Sequence, residues 1–207
     1  MEIKQMIRKL NSFYPLSEEL KRTLLREATK MSLPRHHEIL KAPAVETSIM
    51  FIAKGLVEMY SFRNGRKCVT GFYKAGDIVV DLRSFMHQVS SQYTIKLLEK
   101  SQIVCISYEQ AMRYGGRFLE SGFIFSGIVS EKLEQMEQFY DDLRTMSAMK
   151  RLSKLLTSYP KIEQRASQDS IASYLGIAPQ SLSRIKRIQH DRKSKVKSTS
   201  EPHPAQR

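Results

Sequence analysis

Between Pro179 and Arg187 the chain reads PQSLSRIKR, and Gln180, Ser181, Ser183, Arg184 and Arg187 recur on one side of a helical projection. Amides, hydroxyls and guanidiniums in that arrangement donate hydrogen bonds to phosphate oxygens and base edges. Leu182, Ile185 and Ile188 take the other side at three-residue spacing, and Pro179 suits a first helical position, where its missing N–H would be unpaired. Upstream, Ile171, Ala172 and Leu175 give a shorter segment an apolar face, and Gly176 supplies the positive φ that ends it. A polar helix ending in cations and braced by an apolar one is the form of a helix-turn-helix reader of the DNA major groove. The same pattern also fits a plain αα-hairpin in a small core.

Charge favours the first reading. Residues 148–207 hold thirteen Lys or Arg against four Asp or Glu, whereas residues 1–147 hold 21 against 17, so most of the net +13 lies in the last third. A basic balance around a helix pair is an electrostatic footprint for phosphate.

The remaining chain must position that pair. Residues 2–30 are helical in pattern, with Ser17 as an N-cap, Glu18 and Glu19 in the first turn, and Leu20, Leu24, Leu25 and Ala28 on the core face. From Met31 the period changes to two, and short apolar runs at 36–41, 48–53, 56–62, 68–73, 78–82, 93–99 and 103–107 alternate with turns. Asn64-Gly65 is a strong hairpin signal, because both positions of a type I′ turn take φ > 0. Seven or eight such strands predict a compact antiparallel barrel.

From about Arg117 the helical period returns. Val129, Leu133, Met136, Tyr140, Leu143 and Ser147 alternate spacings of four and three, the a/d pattern of a two-chain seam, with Phe139 beside it and placed to pack back on the barrel. A basic amphipathic helix continues from Ala148 with Met149, Leu152, Leu155 and Leu156 inward, Pro160 stops it, and from Asp191 periodicity is lost, predicting a disordered basic tail. No run of about 18 apolar residues and no apolar signal core appear, so a cytoplasmic protein without membrane contact is expected. Cys68 and Cys105 lack paired spacing and read as small apolar residues in strands. No nucleophile–base pair, metal constellation or glycine-rich phosphate loop can be assembled, which argues against an enzyme.

The order of parts resembles the CRP/FNR family of transcription regulators over about residues 15–190. The motifs that carry the resemblance are Ile171-Ala172-x-Tyr174-Leu175-Gly176-Ile177-Ala178-x-x-Ser181-Leu182-Ser183-Arg184, Lys54-Gly55-Leu56-Val57 and Gly76-Asp77. The pair Tyr159-Pro160 is similar to Bacteroidetes-type versions and leaves little room for a β-hairpin wing before the reader. The resemblance implies an α+β chain: a jelly-roll sensor barrel of cyclic-nucleotide-binding type over 1–116, a dimerisation helix over 117–147, a helix-turn-helix domain over 148–190 and the tail over 191–207. It places base-reading positions on Pro179, Gln180 and Arg184 and a phosphate contact on Ser181, with Arg187 completing the DNA-binding set. Arg184 matches guanine O6 and N7 in bidentate fashion and Gln180 matches adenine, whereas Pro179 has no donor to offer. Ala178 stands where a Ser or Thr cap is common.

In family members that bind a cyclic nucleotide, a Gly-Glu pair and then an Arg followed by Ser or Thr hold the ribose and the cyclic phosphate. Here those places hold Val80-Asp81 and Ser91-Gln92, with Arg83 and Lys96 nearby in sequence, so no cation stands at the phosphate position. An unpaired buried phosphate is costly, which argues against cyclic AMP or cyclic GMP as cofactor. The cysteine cluster of the oxygen-sensing branch is missing from residues 1–35, and His36, His37 and His87 read as ordinary polar residues rather than haem ligands.

The expected function is that of a homodimeric, sequence-specific regulator of transcription. It would bind a palindromic site on double-stranded DNA through a seam of Val129, Leu133, Met136, Tyr140 and Leu143, with RNA polymerase a further partner implied by the resemblance. The competing expectation is a non-enzymatic ligand-binding module with only sequence-blind affinity for DNA or anionic surfaces.

Overall fold

The computed structural model describes residues 1–188; the expected tail from Asp191 lies outside them. Helices α1 (Glu2–Phe13) and α2 (Glu18–Glu27) open the chain, and the Ser17 hydroxyl caps the second by accepting from the Leu20 N–H at 3.2 Å. Ile3, Met6, Leu10, Leu20 and Leu24 face inward. Leu25, expected in that stripe, is 45% exposed and Thr23 is buried instead. The cause is helical geometry: residue 23 lies one turn from Leu20, whereas residue 25 falls well off the stripe.

Eight strands follow: β1 (Thr29–Leu33), β2 (Glu38–Leu40), β3 (Ser48–Lys54), β4 (Leu56–Arg63), β5 (Arg66–Lys74), β6 (Ile78–Val79), β7 (Thr94–Leu97) and β8 (Ser101–Ser107). They form two antiparallel four-stranded sheets, β1-β8-β3-β6 and β2-β7-β4-β5, with Met50, Ile52, Val57, Ile95, Leu97 and Ile103 closed between them. The first strand starts two residues earlier than its period indicated, because Thr29 pairs in register with Cys105. Cys105 is buried in β8, and burial pushes its thiol up to about 12. Asn64 and Gly65 both take positive φ at the β4–β5 turn. At Gly55 φ is +126° and an added Cβ would collide with the Ser101 side chain, so no other residue fits between β3 and β4.

The run expected to be a strand to Leu82 stops at Val79, and helix α3 (Leu82–His87) takes over. Its cap is Asp81, whose carboxylate accepts from the Ser84 N–H at 3.3 Å. Beneath this helix lies Glu46, 2% exposed, with its N–H donating to Ser84 Oγ at 2.8 Å and its carboxylate accepting from the Ser48 N–H at 3.3 Å. Desolvation pushes the Glu46 carboxyl up to about 7, and the nearby Asp81 charge acts the same way.

Helix α4 (Tyr108–Arg117) begins at a capping box made by Ser107 and Gln110, and α5 (Glu120–Thr145) follows it. The amino-terminal part of α5 buries Ile124 and Ile128 against α1. The helix was expected to run on through Ser147. It breaks at Met146, whose backbone is extended, and Ser147 is the N-cap of α6 (Ala148–Ser158) rather than the last seam position. A serine that bonds the Lys150 N–H leaves the helical conformation to do so. In the link where a wing would stand, residues 161–167 hold one short helix, α7 (Ile162–Arg165). Helix α8 (Gln168–Tyr174) and helix α9 (179–188) complete the described chain.

Candidate nucleic-acid interface

Helix α8 starts at Ser167, whose hydroxyl accepts from the Ser170 N–H at 3.1 Å. Ile171, Ala172 and Leu175 are fully or almost fully buried, as the sequence predicts, and Gly176 takes φ +65° in the turn. Helix α9 begins at Pro179, with Leu182 wholly buried and Ile185 and Ile188 half-buried beneath it. Pro179, Gln180, Arg184 and Arg187 are exposed, and Ser181 is half-buried. These five side chains therefore lie on one continuous helix, and no carboxylate among the described residues forms an ion pair with Arg184 or Arg187.

The neighbouring cations behave differently. Arg151 on α6 donates from Nε and Nη2 to the Leu175 carbonyl at 3.2 and 2.8 Å and from Nη1 to the Met146 carbonyl at 2.6 Å. It ties the end of α8 to the end of α5, and a cation suits those carbonyl-rich termini. Lys154 pairs with Asp142 at 2.6 Å, Arg165 grips Glu99 through two bonds of 2.7 and 2.6 Å, and Lys186 pairs with Glu163 at 2.7 Å. Four cations that the sequence adds to the phosphate footprint are thus engaged within the chain.

The brace rests on the barrel. The Ser173 hydroxyl accepts from the Val69 N–H and donates to the Lys67 carbonyl, both at 2.9 Å, along β5, which is the edge of its sheet. Lys67 Nζ meets Glu58 Oε1 at 2.6 Å and Ser170 Oγ at 3.0 Å and stands over the Tyr60 ring. Tyr159 donates its hydroxyl to the Phe72 carbonyl at 2.6 Å. Leu56, Val69 and Phe72 share one apolar cluster with Leu152, Ile171 and Leu182. The bonds from Ser170, Ser173 and Tyr159 to the barrel could not be read from spacing, since they join residues 87 to 106 positions apart.

On α5, Val129, Leu133, Met136 and Tyr140 are 38%, 49%, 50% and 56% exposed, an uncovered apolar stripe on the single chain. Leu143 departs from it: half-buried, it faces the reader turn, with Cδ2 3.2 Å from where a Cβ on Gly176 would stand. Phe139 packs on the Tyr174 ring of α8 at 5.2 Å.

The residues singled out for a ligand divide. Val80, Asp81 and Ser91 are buried, while Arg83 and Gln92 are exposed. All but Ser91 line a cleft of about 990 Å³ between β4–β5, α3 and α5. Ser91, at the place of the phosphate-binding arginine, donates its hydroxyl to Asp81 Oδ2 at 2.6 Å and accepts from the Tyr93 N–H at 2.9 Å. Asp81 and Ser91 therefore satisfy one another, while Arg83 and Gln92 keep their donors at the cleft. Lys132 reaches the cleft from α5, over the Tyr73 ring at 4.1 Å, where burial lowers its ammonium to about 8 against the opposing pull of Asp77 and Glu131. That cation belongs to another element and so escaped the sequence.

Residues 30–114 match the family model of the cyclic nucleotide-binding domain. No curated protein matches the chain. Among solved structures it is similar to the c-di-GMP-responsive global regulator CLP of Xanthomonas campestris, at 16% identity over 84% of this chain and 93% of that one, with a TM-score of 0.66. FixK2 of Bradyrhizobium japonicum gives 17% identity, coverage of 80% and 86%, and a TM-score of 0.66. A protein of Eubacterium rectale assigned to the crp/fnr family of transcriptional regulators gives 14%, 87% and 88%, and 0.68. The chain has the CRP/FNR fold: a cyclic-nucleotide-binding-type β-roll, a long helix and carboxy-terminal helices. Among the described residues no helix is long and apolar enough to cross a membrane.

Proposed function

We propose that this chain is a sequence-specific DNA-binding regulator of transcription that works as a homodimer in the cytoplasm. The observation that carries the reading is the outer side of α9: Gln180, Arg184 and Arg187 stay exposed, while Arg151, Lys154, Arg165 and Lys186 around them are engaged in the chain's own bonds. The uncovered stripe on α5 supplies a seam for a second copy. Two readers related by that seam would enter successive major grooves about 34–36 Å apart, so the operator is a near-palindrome. Arg184 reads guanine, Gln180 reads adenine, and Pro179 adds shape but no donor. The sensor barrel works without cyclic AMP, because Ser91 and Asp81 close the cassette on each other.

Selection of the full chain on random duplex DNA tests this. The expected outcome is an enriched palindrome in which Arg184→Ala relaxes one base position, with a loss of about 1–3 kcal/mol of discrimination there. Enrichment of no motif, with a steep salt dependence only, would favour a sequence-blind module and overturn the proposal.

A further inference from the structure

A second cavity lies away from the cassette, where α1, α2, β3, β8, α3, α4 and the start of α5 converge. Its volume is about 240 Å³, and its walls include Leu10, Leu24, Phe85, Ile106, Ile124 and Phe125. None of its lining residues carries a carboxylate, an ammonium, a guanidinium or an imidazole; its polar side chains are the hydroxyls of Ser121 and Tyr114, and the Tyr114 hydroxyl already donates to Glu27 Oε2 at 3.0 Å. An apolar cavity of about 150 Å³ lined by such residues stays dry and takes benzene, so this one has room for a larger apolar guest. Met86 and Met112 line it and are 43% and 44% exposed, which places adaptable thioether side chains at its mouth.

Two exposed helical glycines border its mouth. Gly115 on α4 and Gly122 on α5 both line the cavity, and a Cβ added at either would meet no atom within 4 Å. Glycine inside a helix lowers its stability relative to alanine, and at these two positions a larger side chain would stand at the mouth of the void. We infer that this cavity is a binding site for a small, uncharged, largely apolar molecule of fused-ring or medium-chain alkyl size. Charge is excluded from the guest because no group in the lining would pair with it.

Calorimetric titration of the full chain with naphthalene, and with 2-naphthalenesulfonate as its charged counterpart, tests the site without DNA, so its failure is separable from that of the regulator reading. One saturable site for naphthalene and none for the sulfonate are expected. Gly115→Leu and Gly122→Leu fill the cavity and should each weaken binding about tenfold or more. Gly116→Leu changes a helical glycine on α4 that does not line the cavity, and should leave binding within about twofold. Thermal melts show that each variant folds; a filled variant that no longer folds is replaced by Gly115→Val or Gly122→Val, which carry the same expectation. No saturable naphthalene binding, equal binding of the sulfonate, or unchanged binding in folded filled variants would each overturn the inference.

Discussion

Arg151 and Glu46 show how far single residues can depart from what their type suggests. Arg151 looks like one more phosphate-seeking cation, yet it holds the Leu175 and Met146 carbonyls and so fixes the turn in front of α9. Removing it in Arg151→Ala should cost about 1.5–3 kcal/mol in urea unfolding, the scale of hydrogen bonds to charged groups. Arg151→Lys should recover only part of that, because an ammonium lacks the planar fork. Glu46 binds its proton more tightly in the folded chain than in the unfolded one, where its carboxyl returns to 4.5. Stability is therefore fully present below about pH 4.5 and falls as pH rises to about 7, by roughly 3 kcal/mol. In Glu46→Gln that slope should vanish between pH 5 and 8 in denaturant titrations; an unchanged slope would place its origin elsewhere. Neither role is visible in sequence, since the acceptors of Arg151 are backbone atoms and the burial of Glu46 comes from α3 folding over it.

Among the elements, α5 was the most legible and also the most instructive in its departures. Its alternating spacing of four and three is local, so Val129 to Tyr140 could be placed on one face from the sequence. The break at Met146 and the inward turn of Leu143 were not legible, because one answers to the serine cap of α6 and the other is a contact with Gly176, more than thirty positions away. Leu133→Asp should convert a dimer into monomers in sedimentation velocity while leaving helical content unchanged, since Leu133 is half exposed on the single chain. A variant as dimeric as the parent would remove this stripe from the interface. Helix α3 was missed for a different reason: its run is short, and Asp81 with Ser84 forms a cap signal inside a stretch that otherwise continues the strand pattern.

At the scale of the whole molecule, the barrel followed from its turns. Asn64-Gly65 takes the positive φ expected of it, Gly55 and Gly76 take positive φ at the other two turns, and the strands between them fall within a few residues of expectation. What the sequence could not show is that barrel and reader share one core, because the shared residues alternate between Leu56, Val69 and Phe72 on one side and Leu152, Ile171 and Leu182 on the other. Periodicity assigns a face to each element but not its neighbour.

That shared core bears on how such a chain can change over descent. Gln180, Arg184 and Arg187 are exposed on α9, so each can be substituted without disturbing the core. The brace is not exchangeable in the same way. A helix pair borrowed from another protein would need a serine to meet Val69, another to meet Lys67, and a ring to cover Phe72. If α9 reads DNA as proposed, its preference can be altered by substitution on one exposed face, whereas exchange of the whole helix pair would also have to match the edge strand β5 on which it sits.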